Sequence, residues 1–243
     1  KNEIYGFGNS KNGYKRFTNL QQHHIEDKEA RKTYDINIYN IVDYFQLAME
    51  CSPNILDSLF TPQFCVLHST RVGNIVRENR RKFLNLKAFH TFKGYSYSQM
   101  HKMESKNAIG KRKELVDKWG FDTKFASHVV RLLNEVEQIL VEGDIDLQMN
   151  REQLKSIRRG EWTLDQIKEY FSSKERELET LYVENRAKLP YGPQDGSFQE
   201  DIKTLLLHCL EEHYGSLDKC ITSEDAPIKA LREIDEILKK NRR

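Results

Sequence analysis

Lys124-Phe125-Ala126-Ser127-His128-Val129-Val130-Arg131-Leu132-Leu133-Asn134-Glu135-Val136-Glu137-Gln138-Ile139-Leu140 is the stretch that decides the fold class. Phe125, Val129, Leu132, Val136 and Leu140 recur every three or four residues, the spacing of a helix that turns one face to a core. Lys124, His128, Arg131 and Glu135 keep the same spacing directly beside them, so a polar stripe runs along the border of the apolar one and is half buried. Two readings stay open for that stripe. It is a solvated flank whose Arg131–Glu135 pair adds a few tenths of a kcal/mol, or it is a row of phosphate or base contacts lining a cleft.

Working outward, helical spacing predicts helices over 41–48, 54–60, 70–79, 86–103, 110–118, 122–142, 150–158, 163–187, 196–213 and 224–240. Ser52-Pro53 suits a cap and first turn, Thr163 with Gln166 forms a capping-box pattern, and Gly120, Gly143, Gly160, Gly192 and Gly215 mark helix ends. Strand signals are sparse. Tyr34-Asp35-Ile36-Asn37-Ile38 alternates at a period of two and is the best strand in the chain, and Phe64–Leu67 is compatible with another. Residues 1–34, rich in Gly, Asn, Lys and aromatics, predict turns with short extended pieces around Ile4–Phe7. The fold class is therefore α+β, predominantly helical.

The chain has 243 residues, 39 basic and 37 acidic, so its net charge of +2 neither requires nor excludes a polyanionic partner. Local clusters carry that question: Arg77-Glu78-Asn79-Arg80-Arg81-Lys82, Lys111-Arg112-Lys113 and Lys239-Lys240-Asn241-Arg242-Arg243. Each suits a nucleic-acid backbone or a solvated face. Tyr95, Gln99 and Lys102 share a helical face after Gly94, which could open a helix N-terminus, where anions bind readily. Cys51, Cys65, Cys209 and Cys220 stand far apart, as free thiols in a reducing compartment do. No apolar run approaches the roughly 20 residues of a membrane span, and the reading is a cytoplasmic protein. Phosphate-loop, HExxH, GxSxG and Cys/His zinc patterns are missing from the sequence. His23-His24 lacks spaced partners, and Asp144 with Asp146 lacks the other ligands of a calcium loop.

Several stretches, in order, resemble the RlaP-type family of nucleotidyltransferases, a branch of the DNA polymerase β superfamily linked to RNA repair. They are Tyr34-Asp35-Ile36-Asn37-Ile38-Tyr39, Ser52-Pro53-Asn54-Ile55-Leu56-Asp57-Ser58-Leu59-Phe60, Phe92-Lys93-Gly94-Tyr95-Ser96-Tyr97-Ser98-Gln99 and Lys124-Phe125-Ala126-Ser127-His128-Val129-Val130-Arg131-Leu132-Leu133. Ile157-Arg158-Arg159-Gly160-Glu161-Trp162 and Leu189-Pro190 are similar too. The resemblance implies the remainder of a polymerase-β-like sheet over 1–68, packed on a large helical nucleotide- and acceptor-binding domain over 69–243.

It also implies transfer of a nucleoside monophosphate from an NTP to a hydroxyl, on an RNA end, with two Mg²⁺ or Mn²⁺ ions held by three carboxylates. Asp35 matches the third of these. The first two, on a Gly-Ser turn and an Asp-x-Asp strand, have no match here and are expected ahead of Lys1, so this chain by itself is expected to be inactive. Lys93, Tyr95, Gln99, Lys124, His128 and Arg131 are the implied nucleotide contacts, and the clustering of basic residues makes Arg77, Arg80, Arg81, Lys111 and Arg112 the expected nucleic-acid contacts. The alternative is a non-catalytic RNA- or protein-binding helical module derived from such an enzyme.

Overall fold

The computed structural model describes residues 21–27, 29–104 and 110–215. The expected extended piece at 4–7, the helix at 224–240, the cluster at 239–243 and Cys220 lie outside the described residues. The chain opens with an antiparallel hairpin of β1 (Gln21–Asp27) and β2 (Lys32–Ile38), in which His24 faces Asp35 and Ile25 faces Tyr34. The strand expected around Asp35 is present, and its partner β1 is an element that the polar run Gln21-Gln22-His23-His24 concealed. Every residue of β2 is exposed, and Ile25, Tyr34, Ile36 and Ile38 leave an apolar face without a third strand or covering layer among the described residues.

Nine helices follow among the described residues: α1 (Ile41–Met49), α2 (Pro53–Leu59), α3 (Arg71–Glu78), α4 (Lys87–Glu104), α5 (Lys111–Trp119), α6 (Thr123–Glu142), α7 (Arg151–Arg158), α8 (Leu164–Asn185) and α9 (Gly196–Tyr214). Their starts obey local chemistry. Asn40 accepts from the Asp43 amide at 2.8 Å, Asp122 from those of Lys124 and Phe125 at 2.9 and 3.2 Å, and the Thr163–Gln166 capping box closes in both directions. The expected strand at Phe64–Leu67 is corrected: Gln63–Cys65 is a single 3₁₀ turn, with Phe64 79% and Leu67 101% exposed. Four apolar residues without a neighbouring edge have no ladder to join. Gly94 is corrected as well, because α4 starts at Lys87 and passes through it, so no helix N-terminus opens there.

The helices are held by two apolar clusters. The larger runs from Phe45 to Cys209 through α1, α2, α4, α6, α8 and α9, on both sides of residue 68. The smaller joins Met103 of α4, Phe121, Ala126 and Val130 beside and on α6, Ile157 of α7 and Ile167 of α8. Helix α6 belongs to both, packed by α4, α7 and α8. That double membership is why Glu135, expected half exposed, is 2% exposed. Beyond α7, Gly160 takes φ +75°, and a Cβ built on it would meet the Trp119 ring at 2.3–2.5 Å. A side chain at that position would therefore be strained and would displace the indole.

Candidate functional site

Helices α4, α5, α6 and α7 enclose an open cavity of about 690 Å³. From α4 come Tyr95, Gln99 and Lys102, at the i, i+4, i+7 spacing that the sequence shows; from α6 come Lys124, Ser127, His128 and Arg131. The structure thus brings together two stripes far apart in sequence. It adds Arg112 from α5 and, from α7, Arg151, Lys155 and Arg158. The α7 residues repeat the i, i+4, i+7 pattern within a helix that the sequence predicts, so a search for cations at that spacing would find them. Seven of the fourteen lining residues are Lys or Arg, and none is Asp or Glu.

Lys155 pairs with the exposed Glu152 at 2.8 Å, while the acids that hold Arg112 and Arg131 lie behind the wall. Arg112 Nη1 is 3.6 Å from Asp122, which is 3% exposed, and its guanidinium stacks 4.0 Å over the Phe125 ring. Arg131 Nη1 is 2.9 Å from Asp57 Oδ2 of α2, and its Nε is 3.5 Å from Glu135 Oε1. Counter-charges set beneath the surface hold these guanidinium groups in place and leave the mouth of the cavity positive.

His128 has a fixed state. Its Nδ1 lies 2.9 Å from Arg131 Nη2, and a guanidinium can only donate, so Nδ1 accepts and the proton of the neutral ring sits on Nε2. Burial, helped by the adjacent Arg131 charge, lowers its pKa to about 4. The Tyr95 ring meets the imidazole edge-on, with centroids 5.4 Å apart. The pocket wall therefore offers an uncharged donor and a phenol ring beside its cations, a combination suited to a phosphorylated ligand carrying an aromatic base.

Lys93 does not join this group. Two residues from Tyr95 on a helix, it points to the other side of α4, where its Nζ is 2.8 Å from Glu175 and 2.7 Å from Glu179 of α8. Those two hydrogen bonds raise its pKa. The grouping of Lys93 with Tyr95 and Gln99 in one cleft is thereby corrected. The cluster at Arg77–Arg81 is built into packing: Arg77 Nη2 donates to the Thr61 carbonyl at 2.7 Å, Arg80 lies 5.3 Å over the Phe60 ring, and Arg81 pairs with Asp144. Arg112 faces the cavity, and the side chain of Lys111 lies outside the described residues.

Asp35 stands apart from the cavity, on the hairpin face opposite Ile36. Its side chain is 79% exposed and accepts a 2.7 Å hydrogen bond from His24 Nδ1, which raises the histidine pKa. Among the described residues no group of three or more His, Cys, Asp or Glu converges in a way that could hold a metal ion. Asp35 and its neighbours among the described residues do not amount to a metal site. Nor is any helix among the described residues long and apolar enough to cross a membrane.

No curated protein and no solved structure matches the chain. The family profile of RlaP, the RNA repair pathway DNA polymerase beta family, matches residues 12–192, well over half of the sequence, and the chain belongs to that family.

Proposed function

We propose that this chain supplies the nucleotide- and acceptor-binding helices of a nucleotidyltransferase that moves a nucleoside monophosphate from an NTP to a hydroxyl, with an RNA end as acceptor. The observation that carries this reading is the cavity wall of seven cations without an acid. A triphosphate carries several negative charges on a narrow chain, and guanidinium groups fixed by buried carboxylates meet it without losing side-chain freedom on binding. Arg112 and Arg131 on one side, and Arg151, Lys155 and Arg158 on the other, leave room for phosphates between them. Tyr95 and the His128 Nε2–H offer a ring and a donor to the base or sugar.

Asp35 enters this reading through the family alone: it would be one ligand of a Mg²⁺ or Mn²⁺ ion that the described residues do not hold by themselves. Incubating the protein as its gene encodes it with a divalent ion, labelled NTPs and RNA oligonucleotides tests it: transfer of label is expected, abolished by Asp35→Asn and by chelation. NTP binding that Arg151→Ala weakens, with no transfer to any acceptor, would overturn the catalytic reading and favour a binding module.

A further inference from the structure

Beneath the cavity wall, α2 meets α6 through a cluster of charged side chains. Arg131 reaches Asp57 at 2.9 Å, Glu135 at 3.5 Å and His128 at 2.9 Å, and the Asp57 and Glu135 side chains are 18% and 3% exposed. Those two carboxyl groups also stand within hydrogen-bonding reach of each other. Drawn as two carboxylates, the cluster leaves Asp57 Oδ1 and both Glu135 oxygens shut away from solvent with no donor, and Arg131 Nε without a hydrogen-bonded acceptor.

Charge gives the same answer as the unmet hydrogen bonds. Two buried negative charges face one guanidinium, and His128 adds no second positive charge, since its Nδ1 accepts from Arg131. A buried ion group with surplus charge is far costlier than one whose charges cancel. One proton held between the carboxyl groups removes the surplus and gives a stranded oxygen its donor. The groups facing this cluster are Asp57 from α2, and Arg131, Glu135 and His128 from α6, with the phenol of Tyr95 from α4 against His128.

We infer that Asp57 and Glu135 share one proton and, as positioning residues, form with Arg131 a neutral buried triad that fixes the guanidinium in the cavity wall for a phosphate ligand. The inference rests on the reading of the cavity as a phosphate site only for its last clause. Burial pushes the Glu135 carboxyl well above the usual carboxylate range and also raises Asp57, so the retained proton belongs to the pair. Loss of that proton in alkali leaves an uncompensated negative charge under the cavity and draws Arg131 away from its mouth.

Infrared difference spectroscopy reads the proton directly. At about pH 7 the protein should show the C=O band of a protonated carboxyl, lost from both Glu135→Gln and Asp57→Asn; two ionised carboxylates and no such band would overturn the inference. Calorimetry with inorganic tripolyphosphate reads the positioning role. Between about pH 7 and about pH 9.5 the wild-type affinity should fall relative to that of Glu135→Gln by on the order of tenfold, because the amide keeps the hydrogen bond without a proton to lose. The ligand's own ionisation affects both proteins alike. Glu135→Ala, lacking the hydrogen bond, should bind more weakly at every pH, and equal pH profiles for wild type and Glu135→Gln would overturn the positioning role. A carboxyl band present without tripolyphosphate binding would sink the phosphate-site reading and leave the shared proton standing.

Discussion

Asp35 on the hairpin and Glu135 on α6 are both carboxyl groups beside a basic partner, and burial sets them in different surroundings. The His24–Asp35 contact is the shorter, 2.7 Å against 3.5 Å for Arg131–Glu135, yet its side chains are 62% and 79% exposed while that of Glu135 is 3% exposed. Water and salt screen the first pair, which is worth little to the fold. The second cannot be broken without stranding charge in the interior. Distance alone does not rank ion pairs. The surroundings decide whether a carboxylate stays open to solvent, as Asp35 does, or becomes a structural member.

The sharpest way to break that comparison is Arg131→Met. It leaves Asp57 and Glu135 buried without a counter-ion and should cost roughly 3–5 kcal/mol in urea unfolding, whereas a loss under about 1 kcal/mol would place the α6 pair with the surface pairs. Smaller, and confined to binding, is the effect of removing Arg151 and Arg158 together. Both are exposed, so unfolding should change by less than about 0.5 kcal/mol, while the tripolyphosphate dissociation constant rises roughly tenfold or more.

The pH dependence of stability sharpens the contrast further. Asp57 and Glu135 have raised values in the folded chain, so the native state binds more protons than the unfolded one across that window. Their contribution is complete below the ordinary carboxyl range and is lost as pH rises through the raised folded values. A melting temperature that declines toward alkaline pH in wild type, and less steeply in Glu135→Gln, is the expected result. The smallest effect belongs to Asp35→Asn. Its melting temperature should match wild type, and an NMR titration should show His24 moving back down toward the ordinary histidine range once its carboxylate partner is gone.

Helix α6, its polar stripe and the face of Tyr95, Gln99 and Lys102 were legible because period and spacing are local properties, and the structure joins those two stripes in one cavity. Three things were not. Strand β1 has polar residues where an apolar alternation would announce it, and its pairing with β2 is a tertiary fact. Lys93 lay within a motif that pointed to the cleft, but a helix turns about 100° per residue and carries it to α8 instead. Asp57 sits on a short helix far from α6 in sequence, and only packing reveals that it is the closest carboxylate to Arg131. The family resemblance is borne out over residues 12–192.

The Gly160–Trp119 contact has a consequence for how this site can change over generations. The indole at the end of α5 rests where a side chain at 160 would stand, so substitution of either residue disturbs the spacing between the Arg112 and Arg158 walls. Shrinking Trp119 would make room for alanine at 160 but would leave the φ of +75°, which still costs that alanine on the order of 1 kcal/mol. The two positions are therefore coupled: a first step at 160 meets the clash and the strain together, whereas after a smaller residue at 119 it meets the strain alone.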